Sequence, residues 1–363
     1  MQATDTATTS VLPPPPPAFQ GPRRRPRSLQ FALFVAAGAW YLCARALAGS
    51  AANGLALRFD LGDFLPLLEA LALLFLLVCG LALLRAIEQR RAPLRMTLGL
   101  PQRTTSRTEW ATGAAIGWGL AIAVVLPMVL GRTLNVQLWG APRAWFLLVL
   151  SLATLAVGTL AHVLGVYGYG FQRLIEATGP VRATLILVGL VAIHAGFVPT
   201  PYGTPDGTRI LVEMLATVLL CVCWSRTHGL WVTWGLQFAW TASIGVLFGL
   251  PLGGNVGFSS VVDTRAVGPA WLTGGDYGPG AAAFSILLAL AAIPVVVRVT
   301  SDWAWNYTHP PIIPAGYDVT VAPPAAHVAM EQAAVNAGPV NPASLVQILP
   351  ATGQNQSADR IPE

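Results

Sequence analysis

The sequence predicts an all-α protein, a polytopic membrane bundle of about eight transmembrane helices, and three observations carry that prediction. Of 363 residues, 54% are hydrophobic and only 10% charged, too few charges to coat a water-soluble domain. Apolar stretches long enough to cross a bilayer, about 20 residues each, recur along most of the chain. All 21 basic residues are arginine, because no lysine occurs, and they gather in the early connections rather than spreading evenly. Placement therefore says more than the modest net charge of +5, which does not suggest a nucleic-acid partner.

Residues 1–28 carry the run Pro13 to Pro17 and end in Arg23, Arg24, Arg25 and Arg27. They read as a disordered arm with a polyproline II segment, and no small-residue cleavage site makes them a signal peptide. Spans are expected near 29–48, 64–86, 110–131, 144–175, 182–199, 208–225, 229–248 and 279–299, so that 29–300 is the transmembrane domain. The arm and the connection "RAIEQRRAPLRMTLGLPQRTTSR" are arginine-rich, whereas the intervening loop has only Arg58 beside Asp60 and Asp63. Basic residues stay on the cytoplasmic side, which places both termini there. Arg173, Arg182 and Arg226 follow that rule, while Arg132, Arg143, Arg209 and Arg265 fall outside, so orientation rests on the first three spans.

The outer loop between the seventh and eighth spans is glycine-rich with Trp271 and Tyr277, and is expected at the membrane interface. Residues 301–363 begin with the aromatic anchors Trp303, Trp305 and Tyr307 and continue as a mostly disordered Pro/Ala/Asn-rich tail. His309 and His327 within it read as solvated residues. Cys43, Cys79, Cys221 and Cys223 all sit in apolar stretches and read as small buried thiols rather than a disulfide framework or zinc cluster.

Polar groups inside spans are costly unless paired or set beside water, so each is a candidate for function. Counting from the turn "EATGP", His162 lies about 13 residues up one helix and His194 about 12 up the next, near 20 Å each at 1.5 Å per residue. From the turn "SRTH", Glu213 and Thr241 are each about 12 residues away and Gln237 about 8. Either the four helices turn these groups into one intramembrane pocket, or Gln237 and Thr241 bond to neighbouring helices, His162 packs among small residues and Glu213 pairs with Arg209 one turn away. Glu69 stands nearer the outer side with no partner at the right spacing, and a bound proton or a cross-helix hydrogen bond satisfies it as well as a role in such a site.

The run "GLWVTWGLQFAWTASIGVLFGLPLGG" resembles the third conserved segment of the CPBP family, the CAAX-prenyl-protease and bacteriocin-processing membrane proteins. "GVYGYGFQRLIEATGP" resembles the stretch after the family's EExxxR motif, "LILVGLVAIHAG" resembles its FxxxH segment, and "RMTLGLPQ" and "GPAWLTGGDYGP" are similar to flanking features. The likeness spans roughly 95–300, with a core at about 95–280. It implies an intramembrane site in which glutamates and histidines activate water to cleave peptides, with zinc or a glutamate as the activating group. Here the glutamate slots hold His162 and Val163, the arginine slot Tyr167, the phenylalanine slot Leu190, the second histidine slot Gln237 and the asparagine slot Thr241. Only His194 remains. Valine is no base, and an amide ligates metal poorly.

These departures imply a catalytically degenerate protein that binds a membrane helix or a lipidated peptide in the former protease groove, with Glu213, Gln237 and Thr241 as binding residues. The alternative is an active metalloendopeptidase with an altered site on His162 and His194, where Glu213 completes a two-histidine, one-carboxylate zinc set. A small-solute transporter is a third reading, against which stands the lack of an inverted repeat. Abundant Ala, Arg, Gly and Pro without lysine point to a GC-rich bacterium, and so to its inner membrane.

Overall fold

The computed structural model describes residues 26–88, 93–138, 145–198, 200–201, 204–308 and 325–336. Most of the expected N-terminal arm, Arg143, His309 and much of the expected tail therefore lie outside the described residues. Contacts divide the chain into one unit at 1–310 and a second at 311–363. In the second unit a helix, Ala325–Asn336, carries His327 on an exposed position.

In the first unit, helices α1 (Arg27–Phe59) and α2 (Leu65–Glu88) form an antiparallel pair, followed by the single turn α3 (Leu94–Thr97) and by α4 (Ser106–Leu130). After the strand β1 (Leu134–Leu138) come α5 (Trp145–Tyr167), α6 (Tyr169–Thr178), α7 (Pro180–Phe197), α8 (Asp206–Thr227) and α9 (Trp231–Ala242). The strand β2 (Val262–Ala266), the short α10 (Ala270–Thr273), α11 (Ala283–Val299) and α12 (Ser301–Thr308) complete the unit. Among the described residues six helical segments are long and apolar enough to cross a membrane: Arg27–Phe59, Gly62–Glu88, Ser106–Leu130, Trp145–Thr178, Pro180–Phe197 and Asp206–Thr227. The other two expected spans are shorter, because α9 has 12 residues before a π turn and α11 has 17.

The fourth and seventh spans depart from continuous helices for local reasons. The fourth span breaks at Gly168, whose backbone leaves the helical region at φ −79°, ψ −123°. The seventh changes from α to π hydrogen bonding over Ser243–Leu247, with Phe248 N–H donating to the Ser243 carbonyl at 2.9 Å. Gly249 then takes φ +64°, and a Cβ there would strike the Val262 carbonyl, so the chain can turn only because the residue is glycine.

The packing is small inside and large outside. On α1 the buried positions include Ala37, Ala44, Ala48 and Ala52, while Phe31, Val35, Leu42 and Leu47 are exposed. Water would penalise that arrangement; lipid favours it, since helices in a bilayer associate through small residues that let backbones approach. The closest approach joins α4 to α9. Cβ atoms on Gly113 or Gly117 would overlap the carbonyls of Val232 and Leu236, and one on Gly235 would overlap that of Trp110. At the far end β1 pairs antiparallel with β2, Val136 opposite Thr264.

Candidate functional site

Gln237 and Thr241, one helical turn apart on α9, share a face, and α4–α9 contact fixes where that face points. It borders two cavities. The first, about 420 Å³, has walls from α4, α8, α9 and α11 and is mainly apolar, with Leu120, Val124, Val212 and Leu288 around Glu213, Gln237, Thr241 and Tyr277. The second, about 300 Å³, lies against α1, α2 and α5 and is more polar, bordered by Tyr41, Arg45, Glu69, Thr154, Thr159, His162 and Gln237. Gln237 is common to both.

Glu213 is fixed at the outer part of the first cavity. Its Oε1 accepts the Tyr277 hydroxyl at 2.6 Å and Arg209 Nη1 at 3.3 Å. Arg209 also pairs with Asp206 at 3.2 Å and donates to the Ala195 carbonyl at 2.7 Å, tying α8 to α7. The Arg209 pairing read from the sequence is thus present, joined by a tyrosine 64 residues away. Tyr277 reaches it because the outer loop folds back over the bundle: Gly254 N–H donates to the Tyr277 carbonyl, and a Cβ on Gly278, at φ +93°, would collide with the Pro251 carbonyl. Burial, and then the hydrogen bond to Glu213, push the Tyr277 phenol up to about 12, so it is a donor at neutral pH.

His162 faces the second cavity, with Nδ1 3.3 Å from the Tyr41 hydroxyl and its ring edge-on to Tyr167 at 6.3 Å. Tyr41 can come so near because Gly165 leaves room for its ring. Val163 and Tyr167 are buried, whereas Leu190 is 46% exposed. The Thr241 hydroxyl is spent inside its own helix, donating to the Gln237 and Phe238 carbonyls at 3.0 Å. The Gln237 side chain is the exception: its Oε1 is sealed from solvent and has no hydrogen-bond partner among the described residues.

Glu213, Gln237 and Thr241 therefore border one cavity and His162 the other beside Gln237, while His194 lines neither although it lies near enough to His162 to act on it electrostatically. His194 occupies the last turn of α7 at an exposed position. Counting residues from a turn gives depth, but each residue also rotates the side chain about 100° around the axis, and packing alone sets that angle. The zinc set His162, His194 and Glu213 does not come together, and among the described residues no group of three or more His, Cys, Asp or Glu could hold a metal ion. These residues do not fit a zinc ion.

Arg45, Tyr277 and Glu69 also border these cavities, beyond the residues that spacing nominates. Arg45 is a charge within the first apolar span, a signal that was available. Tyr277 had no spacing that could connect it to Glu213. Glu69, which spacing alone does not connect to the other groups, borders the second cavity with Arg45 and His162. No family model matches the chain, and no curated protein or solved structure matches it.

Proposed function

We propose that this chain is a CPBP-like integral membrane protein that holds a membrane helix or a lipidated peptide beside Gln237 without cutting it. The observation that carries the reading is the Gln237 amide, placed between two cavities with a carbonyl oxygen that has no partner among the described residues. A buried polar atom left unsatisfied costs about 1–3 kcal/mol, and an incoming backbone N–H or side-chain donor offsets that cost. The apolar walls of the first cavity suit an aliphatic or prenyl group, while Glu213 and Tyr277 offer polar contacts at its outer part. His162, hydrogen-bonded to Tyr41, and apolar Val163 supply no evident pair of base and oxyanion donor for peptide hydrolysis.

In this reading the chain crosses a bacterial inner membrane eight times, with both termini cytoplasmic. Residues 231–247 and α11 are the last two crossings. At 1.5 Å per residue each extends ~26 Å, near the lower limit for a span.

The test is binding of a farnesylated peptide and of a synthetic apolar helix to the purified full-length protein in lipid nanodiscs. One of the two is expected to bind and be recovered intact, and Gln237→Leu is expected to weaken it about tenfold, as for one buried hydrogen bond. Equal affinity of wild type and variant removes Gln237 from the site. Cleavage of the peptide that stops in His162→Ala replaces the binding reading with an enzyme.

A further inference from the structure

A third cavity, about 540 Å³, opens at the opposite, arginine-rich end of the bundle and is independent of the two around Gln237. Three arginines, Arg95, Arg103 and Arg107, and three indoles, Trp110, Trp231 and Trp234, border it, and among the described residues no acidic side chain does. It is a built site. The segment after α3 is stitched to the α8–α9 turn: Leu230 N–H donates to the Gly99 carbonyl at 2.8 Å, Trp231 Nε1 to the Pro101 carbonyl at 2.9 Å, and Arg103 Nη1 to the Thr227 carbonyl at 2.7 Å.

The charges are unequally committed. Arg103 is held in place, lying over the Tyr307 ring at 3.8 Å and 3.7 Å from buried Glu109. Arg95 has only the neutral Gln102, at 2.7 Å, and Arg107 has no hydrogen bond or ion pair among the described residues. Two guanidinium groups thus carry positive charge that no carboxylate among the described residues neutralises, beside the first turn of the 25-residue α4, whose dipole adds to it. Guanidinium groups match phosphate oxygens in a two-pronged geometry. The indoles indicate which phosphate. Trp231 and Trp234 spend their N–H groups on the protein, at 2.9 and 3.1 Å, whereas Trp110 Nε1 is buried with no acceptor among the described residues. The three indoles and Leu100 form the apolar part of the lining, of the kind found at the depth of lipid headgroups.

We infer that this cleft binds the phosphodiester headgroup of an anionic phospholipid. Arg95 and Arg107 hold the phosphate, and the indole wall takes the adjoining ester region. A soluble phosphate would use the arginines alone.

The experiment is native mass spectrometry of the full-length protein released from nanodiscs of phosphatidylglycerol mixed with phosphatidylcholine. Wild type is expected to keep phosphatidylglycerol preferentially. Each arginine near a membrane surface accounts for about fivefold in anionic-lipid affinity, so Arg95→Gln/Arg107→Gln is expected to lose about 25-fold. The control Arg182→Gln/Arg298→Gln removes the same charge from exposed positions outside the cleft and is expected to retain the lipid. Equal retention by the two double variants overturns the assignment. So does displacement of the lipid by an equimolar concentration of inorganic phosphate, which would make this a site for a soluble anion.

Discussion

At the scale of single residues, the Arg209–Glu213–Tyr277 group turns an intramembrane acid into a fixed anchor. Glu213 is 29% exposed at its side chain, so screening reduces what the Arg209 pair contributes, and the short bond from Tyr277 adds orientation as well as energy. Tyr277→Phe is expected to lower stability by about 1–2 kcal/mol, read from thermal unfolding followed by tryptophan fluorescence. The alkaline limb has a defined sign. In the folded protein the phenol rises from its ordinary 10.0 to about 12, so its contribution is complete below pH 10 and is lost as pH rises through about 12. The phenylalanine variant is expected to lack that part of the alkaline loss; identical alkaline profiles would remove Tyr277 from the linkage. Gln237 is the contrasting case. The sequence marks it as a costly amide inside an apolar run, and only the fold reveals that its carbonyl oxygen has no partner among the described residues.

Among the elements, α4 and α9 form the pair on which the first cavity depends. Their backbones come together through Gly113, Gly117 and Gly235, and a larger residue there meets carbonyl groups that cannot rotate away. Gly117→Leu is expected to cost about 1–3 kcal/mol or more through forced separation of the helices and to open the cavity beside Gln237. A Cβ on Gly119, two residues on, would meet nothing within 4 Å, so Gly119→Leu is expected to leave folding intact. A detergent gel-filtration profile and thermal midpoint distinguish the two, and equal tolerance would show that close backbone contact is not what joins these helices. Gly113 and Gly117 are visible in the sequence at a four-residue spacing, but a glycine in an apolar helix is not by itself a contact, since at Gly54 a Cβ would meet nothing within 4 Å. Spacing nominates a packing face, and only the neighbouring helix decides whether it is used.

For the whole molecule, the fold supports an alternating path in which the β1–β2 ribbon and the three-arginine cleft lie at opposite ends. Gln137→Cys and Asp263→Cys are therefore expected to react with an impermeant maleimide from outside intact cells, and Arg107→Cys only after permeabilisation. The reverse pattern would invert the proposed orientation. Length, hydropathy and arginine placement determined by themselves that the chain is helical and built for a membrane, and located most helices to within a few residues, because each apolar run must satisfy its own backbone in lipid. They determined the approximate depth of Glu213, Gln237 and Thr241 for the same reason, since rise per residue is a local property. Tertiary structure alone decided which depths became neighbours. The azimuth of His194, the break at Gly168, the return of Tyr277 to Glu213 and the gathering of Arg95, Arg103 and Arg107 around three indoles all depend on how helices rotate and loops fold back, and that is set by contacts between residues far apart in the chain.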